Sequence, residues 1–451
     1  MERLDKFLET QTVNLPKLAG FLLIALGVFI DLVYFDFLSL YVLAGALVLY
    51  ISYLFKEKIW SLLILTPPSL LLGSFLHFPV TPTWVYEAYL AEVFVVVLSM
   101  VLILEKVFDS DSLKLKEDWV LGGLSTYLLL SLLSYFEIVD FRLFIYGLKL
   151  VVIFLLTYLV SLNYLTNQTR LKYFLYSLAF TSLAVTAQIF YKFYEVGLSL
   201  DFFLNRNDIL ISLGPIATSV AVLVMILPAI LGLYFWEKGK IKPFILIIFF
   251  LGALAVFLSL GKAAVVSLFL ALFYIFWKYK QKRIVFGLVF SVFVLLAFTF
   301  LHSFFEGLVF RVGRIFVDVS SQFRLQELKV CFDLIQDNFW TGVGTGQQII
   351  YYSRQLFPGY EQLVNNFFLQ SFIDLGVLGL GLAIFIFSAI FKKVRLIGKK
   401  VGKYNQPLFW GLTASLIAVF INGQVEVTLF ALPYGIIFWL LVGSLEALKN
   451  K

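Results

Sequence analysis

Two cations stand out because they sit at the edges of apolar runs: Arg206, in Phe203-Leu204-Asn205-Arg206-Asn207-Asp208, and Lys262, in Leu258-Ser259-Leu260-Gly261-Lys262-Ala263-Ala264. Arg324 and Arg354 join them from a polar stretch that runs from Ser303 to Asn365. A lysine at the edge of an apolar run is costly unless it snorkels to water or meets an anion. An arginine fork matches phosphate oxygens two at a time. Gathered at headgroup depth, such cations suit a lipid-linked phosphate or pyrophosphate. The plainer reading is that each anchors the chain to lipid headgroups. Arg324 reads as lying in the first turn of a loop helix, the wrong end for a cation, so an anion is expected to compensate it. His302, at a helix end, reads first as an interfacial residue.

These residues need a scaffold, and composition says what kind. The 451 residues are 61% hydrophobic and 14% charged, with a mean hydropathy of +0.96. Soluble domains carry roughly 45–50% apolar residues. Apolar runs of spanning length recur near 17–34, 37–55, 59–76, 87–105, 119–136, 143–162, 172–192, 209–235, 243–260, 263–277, 284–302, 366–390, 407–422 and 427–446. The fold class is therefore an all-α polytopic membrane protein of about 12–14 transmembrane helices. Lys238, Lys240, Lys242, Lys278, Lys280, Lys282, Arg283, Lys392 and Lys393 belong to one phase of loops, which the positive-inside rule assigns to the cytoplasm together with both termini. The charged start does not read as a cleaved signal peptide. The net charge of +7 reflects this lysine bias rather than a nucleic-acid surface. Two histidines and one cysteine argue against a structural zinc site.

The 303–365 stretch is the one long polar excursion, on the opposite face. Leu325, Leu328, Phe332 and Ile335 have helical spacing, so an amphipathic helix is expected there, capped by Ser320 or Ser321. Such a helix can lie on the membrane and roof a cavity. Beyond it come a glycine turn, Trp340-Thr341-Gly342-Val343-Gly344-Thr345-Gly346, and a return through Asn365-Asn366 to Gly376-Val377-Leu378-Gly379. The three glycines alone indicate a turn and no nucleotide loop. Lys149 is expected to pair with an acid such as Glu87 or Glu92.

The ordered set of Arg324, the Gly342–Gly346 turn, Asn365-Asn366 and Gly376…Gly379 resembles the O-antigen ligase and polymerase superfamily. Leu260-Gly261-Lys262-Ala263-Ala264 is similar to its "S-R-G-A" segment, with lysine in place of arginine, and Arg206 to Ala217 is similar to another. The likeness covers roughly 200–446, which sets a 201–446 core apart from 1–200, where only hydropathy is shared. The resemblance implies a GT-C class, metal-independent glycosyltransferase of lipopolysaccharide biosynthesis in the bacterial inner membrane, its long loop periplasmic. Such enzymes need no cofactor. They take a glycan from undecaprenyl pyrophosphate and pass it to a lipid A-core sugar (ligase) or to another lipid-linked repeat (polymerase). Arg206, Lys262, Arg324 and Arg354 would hold the pyrophosphate. The family's histidine falls on Asn365, and asparagine is no general base. Either Asn365 orients the acceptor by hydrogen bonding, or Glu361 or His302 supplies the base, or the chain is a divergent or engineered form of reduced activity. The alternative of another class is a transporter with Asp31, Glu92 and Lys149 as an ion path. No internal repeat supports it. Oligomeric state is not legible.

Sidedness can be checked directly. With Cys331 replaced by serine, Lys240→Cys is expected to react with a membrane-impermeant maleimide only from the cytoplasmic side, and Gln362→Cys only from outside. Labelling of both from one side would refute the assignment.

Overall fold

The computed structural model describes residues 59–79, 85–108, 118–196, 209–259, 261–279, 319–355, 363–425 and 429–449. The expected spans near 17–34, 37–55 and 284–302 lie outside the described residues, as does Asp31. The described chain is helical almost throughout. In order it forms α1 (Trp60–Ser69), α2 (Leu90–Phe108), α3 (Trp119–Leu133), α4 (Phe141–Tyr164), α5 (Gln168–Val196), α6 (Ile216–Trp236) and α7 (Lys242–Leu258). There follow α8 (Lys262–Lys278), α9 (Val319–Asp337), α10 (Gln348–Gln355), α11 (Phe367–Gly398), α12 (Gln406–Asn422) and α13 (Leu432–Ser444). Five helices among the described residues are long and apolar enough to cross a membrane: Trp119–Glu137, α4, α5, α6 and α11. An all-α polytopic membrane protein is the result.

Two short pairings interrupt the helices. Ser74–Pro79 (β1) and Val85–Tyr89 (β2) form an antiparallel hairpin in which His77 pairs with Glu87, and Leu210–Ile211 (β3) pairs with Gly214–Pro215 (β4). The first departs from the runs 59–76 and 87–105. Gly73 adopts φ 72°, a left-handed conformation open to glycine, and turns the chain out of the helical segment before residue 76. The second run starts as a strand and becomes helical only at Leu90.

α6 sits at the centre, with Val220 to Leu233 almost wholly buried. A helix apolar on every side is one surrounded by protein. It packs against α5, α7, α8 and α12. Against α12 the approach is closest at Gly232 and Gly411, where a Cβ on either would lie 2.7–2.8 Å from the other's Cα. Small residues let membrane helices meet backbone to backbone.

Two groups of buried charges are paired. Lys149 on α4 meets Glu92 on α2 at 2.7 Å, as expected. That pairing supplies a structural role for two of the three residues read as an ion path. At one end of the bundle Lys393 on α11 meets Asp118 at 2.8 Å and Glu446 at 3.1 Å, and bonds the Tyr158 hydroxyl at 2.8 Å. Asp118 also caps α3 by accepting from Val120 N. The cluster ties α3, α4, α11 and the segment after α13 together. Removing one partner of a buried pair strands the others, at about 3–5 kcal/mol. Lys393→Met should therefore markedly lower the melting midpoint of detergent-solubilised protein; an unchanged midpoint would show that water solvates the cluster.

Candidate functional site

At the other end of the bundle, α11 is broken. Gly376 has φ 63° and ψ −157° inside a helix that otherwise runs from Phe367 to Gly398. A break strands backbone groups, and within a membrane each unpaired one costs several kcal/mol. Here the glycine turn pairs them. The carbonyl of Ile373 accepts from Val343 N at 2.8 Å, that of Asp374 from Gly344 N at 3.1 Å, and Val377 N donates to the Phe339 carbonyl at 2.9 Å. Gly342, Gly344 and Gly346 all have positive φ, at 72°, 93° and 78°. A Cβ on Gly376 would stand 2.2 Å from the Trp340 carbonyl oxygen, and one on Gly342 would stand 2.6 Å from that of Asp374. The two glycine motifs are thus halves of one joint.

The joint is fastened to the spans. Thr345 N donates to Ser134 Oγ after α3. The Gln347 amide accepts from Val139 N and Asp140 N and donates to the Asp140 carbonyl, just before α4. Gly346 rests on Gly147 of α4, where a Cβ on Gly147 would meet Gly346 N at 3.1 Å.

The returning strand is held residue by residue. Val364 N donates to Gln370 Oε1, and Gln370 Nε2 donates to the buried Asp374 carboxylate. Asn366 caps α11, its Oδ1 accepting from Phe368 N and Leu369 N. Between them Asn365 meets Glu327 of α9 twice: Asn365 N to Oε1 at 3.0 Å and Asn365 Nδ2 to Oε2 at 2.7 Å. Glu327 is 3% exposed. Burial pushes its carboxyl up from the ordinary range, against the opposing pull of the Asn365 bonds and of the Arg324 charge. Val330, Cys331, Leu334 and Ile335 of α9 pack with Val343, Tyr352, Val364 and Ile373 beneath this contact. The Cys331 thiol bonds the Tyr352 hydroxyl at 2.8 Å, and burial pushes its pKa up to about 12, which leaves it a poor nucleophile.

Among the residues singled out by type and spacing, Asn365 bonds Glu327, which lies one helical turn after Arg324 on α9. Glu327 itself was missed; its signal is an acid one helical turn after Arg324. α9 starts at Val319, so Arg324 lies in its second turn rather than its first, and Ser320 and Ser321 lie inside the helix instead of capping it. The charge of Arg324 acts on the Glu327 carboxyl one helical turn further on. Of the apolar residues at helical spacing on α9, Leu325, Leu328 and Phe332 are exposed and Ile335 is buried, while Glu327, Val330, Cys331 and Leu334 face inward. The two stripes sit side by side on one helix, and the inward one carries the acid that Asn365 requires. Lys262 is exposed at the first residue of α8. Arg354 is on α10, with its side chain outside the described residues, and Arg206, His302 and Glu361 lie outside them altogether. Among the described residues no group of three His, Cys, Asp or Glu is placed to hold a metal ion.

A polytopic helical bundle with a polar loop locked into a broken span is the class that fold and site define. Residues 246–384, from α7 through the first half of α11, match the family model described as O-antigen ligase. That match supports the O-antigen ligase superfamily, with ligase- or polymerase-type glycan transfer and lipid-linked substrates in a bacterial membrane. No curated protein matches the chain.

The joint has a direct test. Gly376→Ala forces a strained φ and a clash with the Trp340 carbonyl, for a cost of about 1–3 kcal/mol or more. It should lower the melting midpoint and expose the glycine turn to limited proteolysis; unchanged proteolysis would separate the two motifs.

Proposed function

We propose that the chain is a ligase-type glycosyltransferase that moves a glycan from undecaprenyl pyrophosphate to a sugar hydroxyl of the lipid A core at the periplasmic face of the inner membrane. The observation that carries this is the pairing of Asn365 with Glu327, one helical turn from Arg324, where the polar loop locks onto a membrane span.

In such a transfer the acceptor oxygen attacks the anomeric carbon. The bond from that carbon to the diphosphate oxygen breaks, and the diphosphate leaves with the electron pair. Two jobs follow: stabilising charge on the leaving group and orienting the hydroxyl. Arg324, with Arg206, Lys262 and Arg354, serves the first; Asn365 serves the second. The lysine at 262 keeps the charge but lacks the fork of arginine, so its grip on a diphosphate is looser. The leaving group is good enough without a metal. The region 201–446 houses this chemistry, and 1–200 adds further spans. A polymerase would use the same steps with a lipid-linked repeat as acceptor, and its products would form a ladder rather than a single addition.

The experiment is glycan transfer by purified, detergent-solubilised protein from a polyprenyl-diphosphate donor, with lipid A-core and lipid-linked acceptors compared. Arg324→Ala is expected to lower the rate by about 100-fold or more, Arg324→Lys by less, and a chelator to leave it unchanged. Absence of transfer to any acceptor by the unaltered chain would refute the proposal.

A further inference from the structure

We infer that Glu327 is a positioning residue for this transfer: it holds the Asn365 side chain with its nitrogen inward and its carbonyl oxygen turned to receive the hydrogen of an acceptor sugar hydroxyl. The inference rests on the glycan-transfer reading and assigns the acceptor half of its site.

An asparagine amide is a donor at one tip and an acceptor at the other, and rotation by half a turn exchanges them. A carboxylate only accepts. Glu327 offers one oxygen to the Asn365 backbone N–H and the other to the side-chain nitrogen. The amide is therefore fixed in one sense, because a flip would set its oxygen against a carboxylate oxygen. Three restraints keep the frame still: Gln370 holds the preceding N–H, Asn366 caps the following helix, and Glu327 is itself buried. With nitrogen committed to Glu327, Oδ1 points away from it, on a half-buried residue. A neighbouring negative charge also polarises the amide, which makes that oxygen a stronger acceptor. Asparagine takes no proton at neutral pH. The oxygen thus aligns the hydroxyl; as its oxygen bonds the anomeric carbon its proton is lost to water, and the diphosphate leaves as a stable anion with the electron pair of the broken bond. In this arrangement the site works without a histidine at position 365.

The polarity of the pair can be inverted, and this gives the test. Glu327→Gln is isosteric but brings an amide nitrogen against the Asn365 nitrogen, which favours the flipped amide and presents a donor to the acceptor. Asn365→Asp sets two carboxylates face to face. Combined, E327Q/N365D restores one donor–acceptor contact and leaves a carboxylate oxygen facing out, with the same net charge as the unaltered pair. Initial rates in the full-length, detergent-solubilised chain, at varied donor and acceptor concentrations, are expected to show kcat down by about 100-fold in each single variant. The KM for donor should be unchanged in E327Q, and kcat in the double variant should recover to within about tenfold of the unaltered chain. Melting curves accompany each variant. If E327Q does not fold, Glu327→Asp, which keeps charge and loses reach, takes its place and should give an intermediate kcat. E327Q at full rate would overturn the inference, and so would a folded double variant no faster than E327Q. Either outcome leaves the transfer reading standing. A folded, unaltered chain that moves no glycan removes the transfer reading and this inference with it.

Discussion

A backbone inside a bilayer has no water to fall back on. Every carbonyl and amide released by a helix break must find a partner in the protein. In this chain the break at Gly376 releases the carbonyls of Ile373 and Asp374 and the amide of Val377, and the loop supplies Val343 N, Gly344 N and the Phe339 carbonyl. The polar loop is therefore not merely attached at its two ends. Its middle completes the hydrogen bonding of a membrane span, and the span in turn dictates the loop's path to within the spacing of three bonds.

From that joint the order propagates outward. Asp374, on the loop side of the break, takes Gln370, and Gln370 takes the Val364 amide. That fixes the residue before Asn365, while Asn366 fixes the residues after it by capping. Asn365 then meets Glu327, and Glu327 sits one turn from Arg324 on a helix whose buried face packs on the same joint. Each bond is ordinary in strength, about 0.5–1.5 kcal/mol net. What matters is that they run in series through buried groups, so that side chains far apart in sequence are placed against a rigid span.

Membrane class and the helices over the apolar runs at 119–136, 143–162, 172–192, 209–235 and 366–390 were legible in the sequence, because apolar runs of that length have few other fates. So was the turn at Gly342, Gly344 and Gly346, since three closely spaced glycines preceding a returning helix signal positive φ. The mate of the turn was not legible: nothing in Gly376-Val377-Leu378-Gly379 says which distant amides will cross the gap. The inward stripe of α9 was not legible for a related reason. Leu325, Leu328 and Phe332 carry the apolar period, but Glu327 lies on the inward stripe because Asn365 satisfies it there. Periodicity counts apolar residues and cannot see a buried acid with a partner. The paired strands Ser74–Pro79 and Val85–Tyr89 overlap the end of one apolar run and the start of the next, where hydropathy does not tell a short strand from a helix.

The fastenings of the glycine turn also impose an order of assembly. Its anchors, Ser134 and Asp140, precede Thr345 and Gln347 by more than two hundred residues. Synthesis runs from the N-terminus, and early segments settle before later ones emerge. α3 and α4 are thus in the membrane, with their receptacle exposed, before the ribosome has made the turn that fills it. The break in α11 comes later still. Until α11 arrives, the loop can dock on α3 and α4 but cannot close its own hydrogen bonds, so the insertion of α11, ahead of α12 and α13, is the event that creates the site.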